Sequence, residues 1–121
     1  MDMKTSTRQV GDVTIVDISG RISLGEESKA LREQIMNLLS AGHVKILANL
    51  AEVSYIDSSG LGALVGAFTS VRKAGGELKL LKLSPKVDDL MVVTRLYTVF
   101  DIADDEATAV KSFDHKTAAG A

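Results

Sequence analysis

The chain of 121 residues contains no cysteine. That removes disulfides, thiol chemistry and cysteine-ligated zinc. Basic runs are also missing: Lys and Arg number 14 against 16 Asp and Glu, for a formal charge of -2. Nucleic-acid binding by phosphate neutralisation therefore has no footprint. Nowhere does the chain approach the ~18 consecutive apolar residues of a membrane span, and MDMKTSTRQV lacks the apolar stretch of a signal peptide. Histidine occurs only as His43 and His115. The first opens a strand and the second lies in a small polar tail, so both read as solvated surface side chains. The expectation is a cytoplasmic protein with no direct nucleic-acid and no membrane partner.

What is present is the balance of an ordinary globular chain, 45% hydrophobic and 25% charged. The length fits one domain over residues 1–121, with one core, and no linker or internal repeat divides it. With so small a charge and no spare apolar helix, a monomer is the default.

From Arg8 to Ser19, the β-branched residues Val13, Ile15, Val16 and Ile18 and the turn signal Gly11-Asp12 predict a hairpin. Ser23 stands three residues before Glu26, a capping-box spacing, and Leu31, Ile35, Leu38 and Leu39 recur at helical intervals up to Ala41-Gly42. VKILANL (44–50) reads as a central strand, and the apolar pattern resumes at Val53, Tyr55 and Ile56. Leu61, Leu64, Val65, Phe68 and Val71 mark a second helix beginning at Ser58 or Ser59 and ended by Gly75-Gly76. ELKLLKL (77–83) is a further strand, with Lys79 and Lys82 on a solvated face or edge. Ser84-Pro85 opens a third helix that turns Leu90, Val93 and Leu96 inward. A short strand is expected at TVF, within Tyr97 to Ile102. A last helix follows Asp104, Asp105 and Glu106 and carries Ala107, Val110 and Phe113. The order defines the fold class: α/β, a mixed, largely parallel sheet of about five strands with an N-terminal hairpin and about four helices.

Chemistry in such sheets gathers where a strand ends and a helix begins, because free backbone N–H groups and the helix dipole converge there. Asp57-Ser58-Ser59-Gly60-Leu61-Gly62 occupies that place. Two glycines in a first helical turn cost about 1 kcal/mol each relative to alanine. The plainest reading makes Ser58 or Ser59 a helix cap and the glycines an aid to close packing. A serine hydrolase is disfavoured, since no G-x-S-x-G elbow surrounds Ser58. The glycines match neither a P-loop nor a dinucleotide fingerprint. A lone Asp57, and an acidic run that reads as a helix start, make poor metal sites, so no metal and no cofactor is expected.

DSSGLG (57–62), the LANLAEVSYI before it, AGGELKLLKLSPKV (74–87) after it and VTRLYTVFDI (93–102) together resemble the STAS domain of bacterial anti-sigma-factor antagonists, over about residues 7–113. The resemblance implies a partner switch rather than an enzyme. The unphosphorylated protein would bind an anti-sigma factor with serine-kinase activity and so free the sigma factor. Phosphorylation would end binding, and a PP2C-type phosphatase would restore it. By position, Ser58 is the implied phosphorylation site, Asp57 supports the reaction, and Ser59, Gly60, Leu61 and Gly62 belong to the docking surface. One departure stands out: Ser23, in Gly20-Arg21-Ile22-Ser23-Leu24-Gly25, holds the partner-contacting place where many members carry an acid. It implies slower phosphorylation or a divergent kinase. Two other readings remain: a STAS scaffold or sensor module without phosphorylation, and a receiver domain accepting phosphate on Asp57. The receiver reading lacks the acid pair that would hold Mg²⁺, since Asp17 stands alone.

Overall fold

Gly11, at φ +62°, closes a two-residue turn that folds β1 (Lys4–Val10) antiparallel onto β2 (Val13–Ile22), in register from Val10↔Val13 to Lys4↔Ser19. The computed structural model describes residues 3–23 and 25–114, the side chain of Asp114 excepted. His115 and the rest of the tail lie outside the described residues. After the hairpin come α1 (Glu26–Ser40), β3 (Lys45–Ile56), α2 (Ser58–Lys73), β4 (Glu77–Leu83), α3 (Pro85–Thr94), β5 (Ile102–Ala103) and α4 (Glu106–Lys111). Single 3-10 turns follow α3 and α4. The sheet order is β1-β2-β3-β4-β5, and every pair after the hairpin is parallel. The mixed α/β architecture expected from the sequence is the one observed.

The two faces of the sheet are covered unequally. On one, Val16, Ile18, Ile22, Ile46, Ala48, Leu50, Val53, Ile56, Leu78 and Leu80 pack with Leu31 and Ile35 of α1, Ala63, Leu64, Ala67 and Val71 of α2, and Val87 and Met91 of α3. On the other, Val13, Ile15, Leu47 and Leu81 pack with Ala109 of the short α4 and with Phe113, and Val10, Ala103 and Val110 pack partly against them. Arg8 fastens α4 there, donating to both Asp17 and Glu106 at 2.7–3.1 Å. These bonds hold the two carboxyls below their ordinary values and raise the guanidinium above its own.

β3 is one strand of 12 residues, longer than the VKILANL segment alone. Register shifts against β2 and β4 explain why its second half looked irregular. Extra residues bulge out, so Leu50, Val53 and Ile56 all reach the helical face at a spacing of three instead of two. One bulge falls at Lys82, which has φ +54°.

Other local expectations are corrected. Helix α1 is not capped by Ser23. Gly25 takes φ +59° at its N-cap, and Ser23 instead donates from its N–H and Oγ to Glu27 Oε1, both at 3.2 Å. The TVF segment is not a strand: Leu96–Thr98 form a 3-10 turn after Arg95 enters the left-handed region at φ +62°. In α3, Val87 and Met91 are buried, Leu90 and Leu96 pack partly, and Val93 is 79% exposed. In α4 it is Ala109, not Ala107, that faces the sheet, one turn before Phe113. Lys79 is not on a solvated face. It is buried, with Nζ donating to Ser112 O and Oγ at 3.0 and 2.9 Å and lying 4.9 Å from the Phe113 ring centre.

Candidate functional site

β2 and β3 end side by side, with Ile22 paired to Ile56, and the chain passes from Ile56 through Asp57 straight into α2. The Asp57 N–H donates to Ile22 O at 3.3 Å, which ties this turn to the neighbouring strand. Asp57, with extended backbone, is the N-cap: its Oδ1 accepts from Gly60 N–H at 2.9 Å. The cap is therefore neither Ser58 nor Ser59. A carboxylate here satisfies an orphan donor and complements the positive end of the helix dipole.

The two serines have different surroundings. Ser58 is exposed, and its hydroxyl makes no hydrogen bond among the described residues. Ser59 is half-buried and turned toward α1. Its Oγ donates to Asp57 Oδ1 at 2.6 Å, lies 2.9 Å from Ser28 Oγ, and receives the Gly25 N–H at 3.4 Å.

The glycines also divide. Gly60 is buried, and a Cβ there would lie 2.3 Å from Ile22 O and 2.8 Å from Ile56 Cγ2. Only glycine lets α2 start this close to the sheet. Gly62 is exposed, and a Cβ there would meet nothing within 4 Å. Leu61 is partly buried against the core. Ser23, 4% exposed, lies beneath this surface rather than on it. The structure thus brings Asp57 to Gly62 together at the strand ends, with Ser58 and Gly62 outermost and Gly25 and Ser28 of the α1 start beside them. His43 precedes the opposite end of β3.

Two features of this end were not drawn from the sequence. Arg21 stacks over Tyr55, its guanidinium carbon 5.0 Å from the ring centre, where β2 and β3 approach the turn. Ser28 lies 3% exposed on the stripe shared with Leu31 and Ile35. A small polar residue in an apolar i, i+3, i+7 series was the signal available for it. Among the described residues, no group of three or more His, Asp or Glu side chains is placed to hold a metal ion. No described helix is long and apolar enough to cross a membrane.

Fold and turn together define a class: a small α/β domain, helices mainly on one face, that presents an uncommitted serine at a helix start beside two parallel strand ends. The STAS domain family model matches residues 4–109, and the chain belongs to that family. The anti-sigma-B factor antagonist of Bacillus subtilis (strain 168) is 36% identical to it over 103 residues, 85% of this chain and 93% of that one. A solved anti-sigma factor antagonist from Mycobacterium paratuberculosis matches with a TM-score of 0.81 at 20% identity, over 93% of this chain and 94% of that one. The Bacillus cell fate determinant SpoIIAA, solved in its phosphorylated form, matches with a TM-score of 0.70 at 20% identity, over 90% and 98%.

Proposed function

We propose that this protein is an anti-sigma-factor antagonist whose binding is switched by phosphorylation of Ser58. Unphosphorylated, it docks through Ser58, Leu61 and Gly62 onto an anti-sigma factor that is also a serine kinase, and the sigma factor is released. Asp57 and Gly60 fix the turn from within, and Ser59 and Ser23 hold the adjoining start of α1. The kinase ends the interaction by modifying Ser58, and a PP2C-type phosphatase restores it. The observation that carries this reading is the division of labour at the turn: because Asp57 caps α2, the exposed Ser58 hydroxyl is left without an internal role. The names of the relatives support the partner class, and the phosphorylated form of SpoIIAA supports the chemistry.

The physics of the switch follows from position. A phosphoserine carries about -1.5 to -2 charges, and a helix start stabilises an exposed anion by about 0.3–1 kcal/mol. The fold accommodates the phosphate. A docked interface does not, because the dianion would sit beside Asp57, project above the flat surface at Gly62 and lose its hydration on binding.

Affinity capture from a lysate of the source cells tests this. Wild type and Ser58→Ala should both retain a GHKL-type serine kinase, and Ser58→Asp should lose it while melting within about 2 °C of wild type. Equal retention of that kinase by Ser58→Asp would refute the switch.

A further inference from the structure

Two adjacent hydroxyls stand in the first turn of α2, and the proposed switch needs only one to take phosphate. Resting on that reading, we infer that Ser28 of α1 selects the acceptor, by closing Ser59 to phosphoryl transfer and leaving Ser58 as the open hydroxyl.

The assignment of protons follows from counting. A hydroxyl has one proton to donate and two lone pairs to accept with. The Ser59 proton belongs to Asp57 Oδ1 at 2.6 Å, because an ionised carboxylate only accepts. The 2.9 Å contact between Ser28 Oγ and Ser59 Oγ therefore has Ser28 as donor. The Gly25 N–H, at 3.4 Å, points at the other lone pair. Ser59 Oγ is thus saturated, and the shorter of the two bonds it accepts comes from Ser28. Ser28 itself is 3% exposed, so water does not compete for its proton. Successive helical residues point about 100° apart, which is why Ser58 escapes this arrangement and faces solvent.

Phosphoryl transfer uses what Ser59 lacks. A serine oxygen directs a lone pair at the γ-phosphorus of the kinase-bound nucleoside triphosphate and forms the new O–P bond. The bond to the bridging oxygen breaks, the nucleoside diphosphate leaves with that electron pair, and the hydroxyl proton passes to a base on the kinase. For Ser59, the reaction first requires breaking the Ser28 bond and the charge-assisted bond to Asp57. Ser58 carries no such cost. Ser28 is thus a positioning residue, acting on Ser59 from the neighbouring helix.

The test expresses variants in the source cells and locates phosphate by peptide mass spectrometry of the purified protein. Wild type should carry phosphate at Ser58 alone, and Ser58→Ala should carry none at Ser59. Adding Ser28→Ala to Ser58→Ala should make phosphate appear at Ser59, about fivefold or more above the detection background. Ser28→Cys, which leaves no cavity but is a weak donor, should do the same, which separates loss of the bond from loss of packing. Melting curves of the double variants confirm that they are folded. Phosphate on Ser59 in Ser58→Ala alone, or none on Ser59 in the folded Ser28→Cys/Ser58→Ala variant, overturns the role of Ser28 while leaving the switch intact. Absence of phosphate from Ser58 of the wild type overturns the switch, and the selection with it.

Discussion

A single methyl group added at Gly60 or at Gly62 is expected to act in opposite directions on stability. At Gly60 the new Cβ would stand 2.3 Å from Ile22 O, 2.8 Å from Ile56 Cγ2 and 3.0 Å from Ile22 Cγ2. The nearest of these atoms is backbone, and the same carbonyl accepts the Asp57 N–H. Relief therefore requires the start of α2 to lift from the sheet. Overpacking of this kind costs about 1–3 kcal/mol, and a rigid backbone neighbour places it at the upper end. Alanine returns at most about 1 kcal/mol in helix propensity, so Gly60→Ala should lose about 2 kcal/mol. At Gly62 nothing lies within 4 Å of the new Cβ, and only the propensity gain of up to about 1 kcal/mol remains. For a domain of this size 1 kcal/mol shifts the melting temperature by about 3–6 °C. Urea and thermal denaturation should thus show Gly60→Ala melting roughly 6–12 °C lower and Gly62→Ala a few degrees higher than wild type. Equal shifts for the two variants, or an unaffected Gly60→Ala, would refute the packing argument. On the proposed docking surface, Gly62→Ala should bind the partner more weakly while being more stable.

The cap assignment predicts that Asp57→Ala destabilises by about 0.5–2 kcal/mol in urea, while Ser58→Ala stays within about 0.5 kcal/mol of wild type. The reverse order would return the cap to Ser58. Acid titration tests the tie between α4 and the hairpin. The Arg8 hydrogen bonds depress the Asp17 and Glu106 carboxyls, so the unfolded chain takes up protons first as pH falls. The resulting stability is complete above the ordinary carboxylate range of about 4 and disappears as pH drops through the depressed values. Arg8→Met should therefore lose less stability than wild type between about pH 5 and pH 3, measured by urea midpoints, and an unchanged pH slope would count against the tie.

The hairpin was legible from its β-branched residues and the Gly11-Asp12 turn, α1 and α2 from apolar residues at helical intervals, and β4 as a short apolar segment between Gly75-Gly76 and Ser84-Pro85. β3 was legible as a strand only as far as Leu50, because past that point bulges replace the period of two of a regular strand with a spacing of three. Val93 was misplaced because α3 offers more than one apolar stripe, and the one-residue junction at Ser84, whose Oγ donates to Val53 O at 2.7 Å, sets the helix so that Val87 and Met91 are buried. Lys79 was misread because its partners, Ser112 and Phe113, come from the end of the chain and meet it only through tertiary folding. At the site, the motif located the turn, yet three consecutive cap-competent residues, Asp57, Ser58 and Ser59, left the cap unassigned. Only geometry separates them, giving the cap to Asp57 and the clasp with Ser28 to Ser59, and leaving Ser58 outside both.

The central claim, that phosphate on Ser58 closes the docking surface without unfolding the protein, is tested most directly by calorimetric titration of the captured kinase with the Ser58-phosphorylated and unphosphorylated protein. The account predicts an affinity at least about 100-fold weaker for the phosphorylated form, or about 2.7 kcal/mol, with both forms folded at the temperature of the titration. Equal affinities for the two folded forms would contradict it.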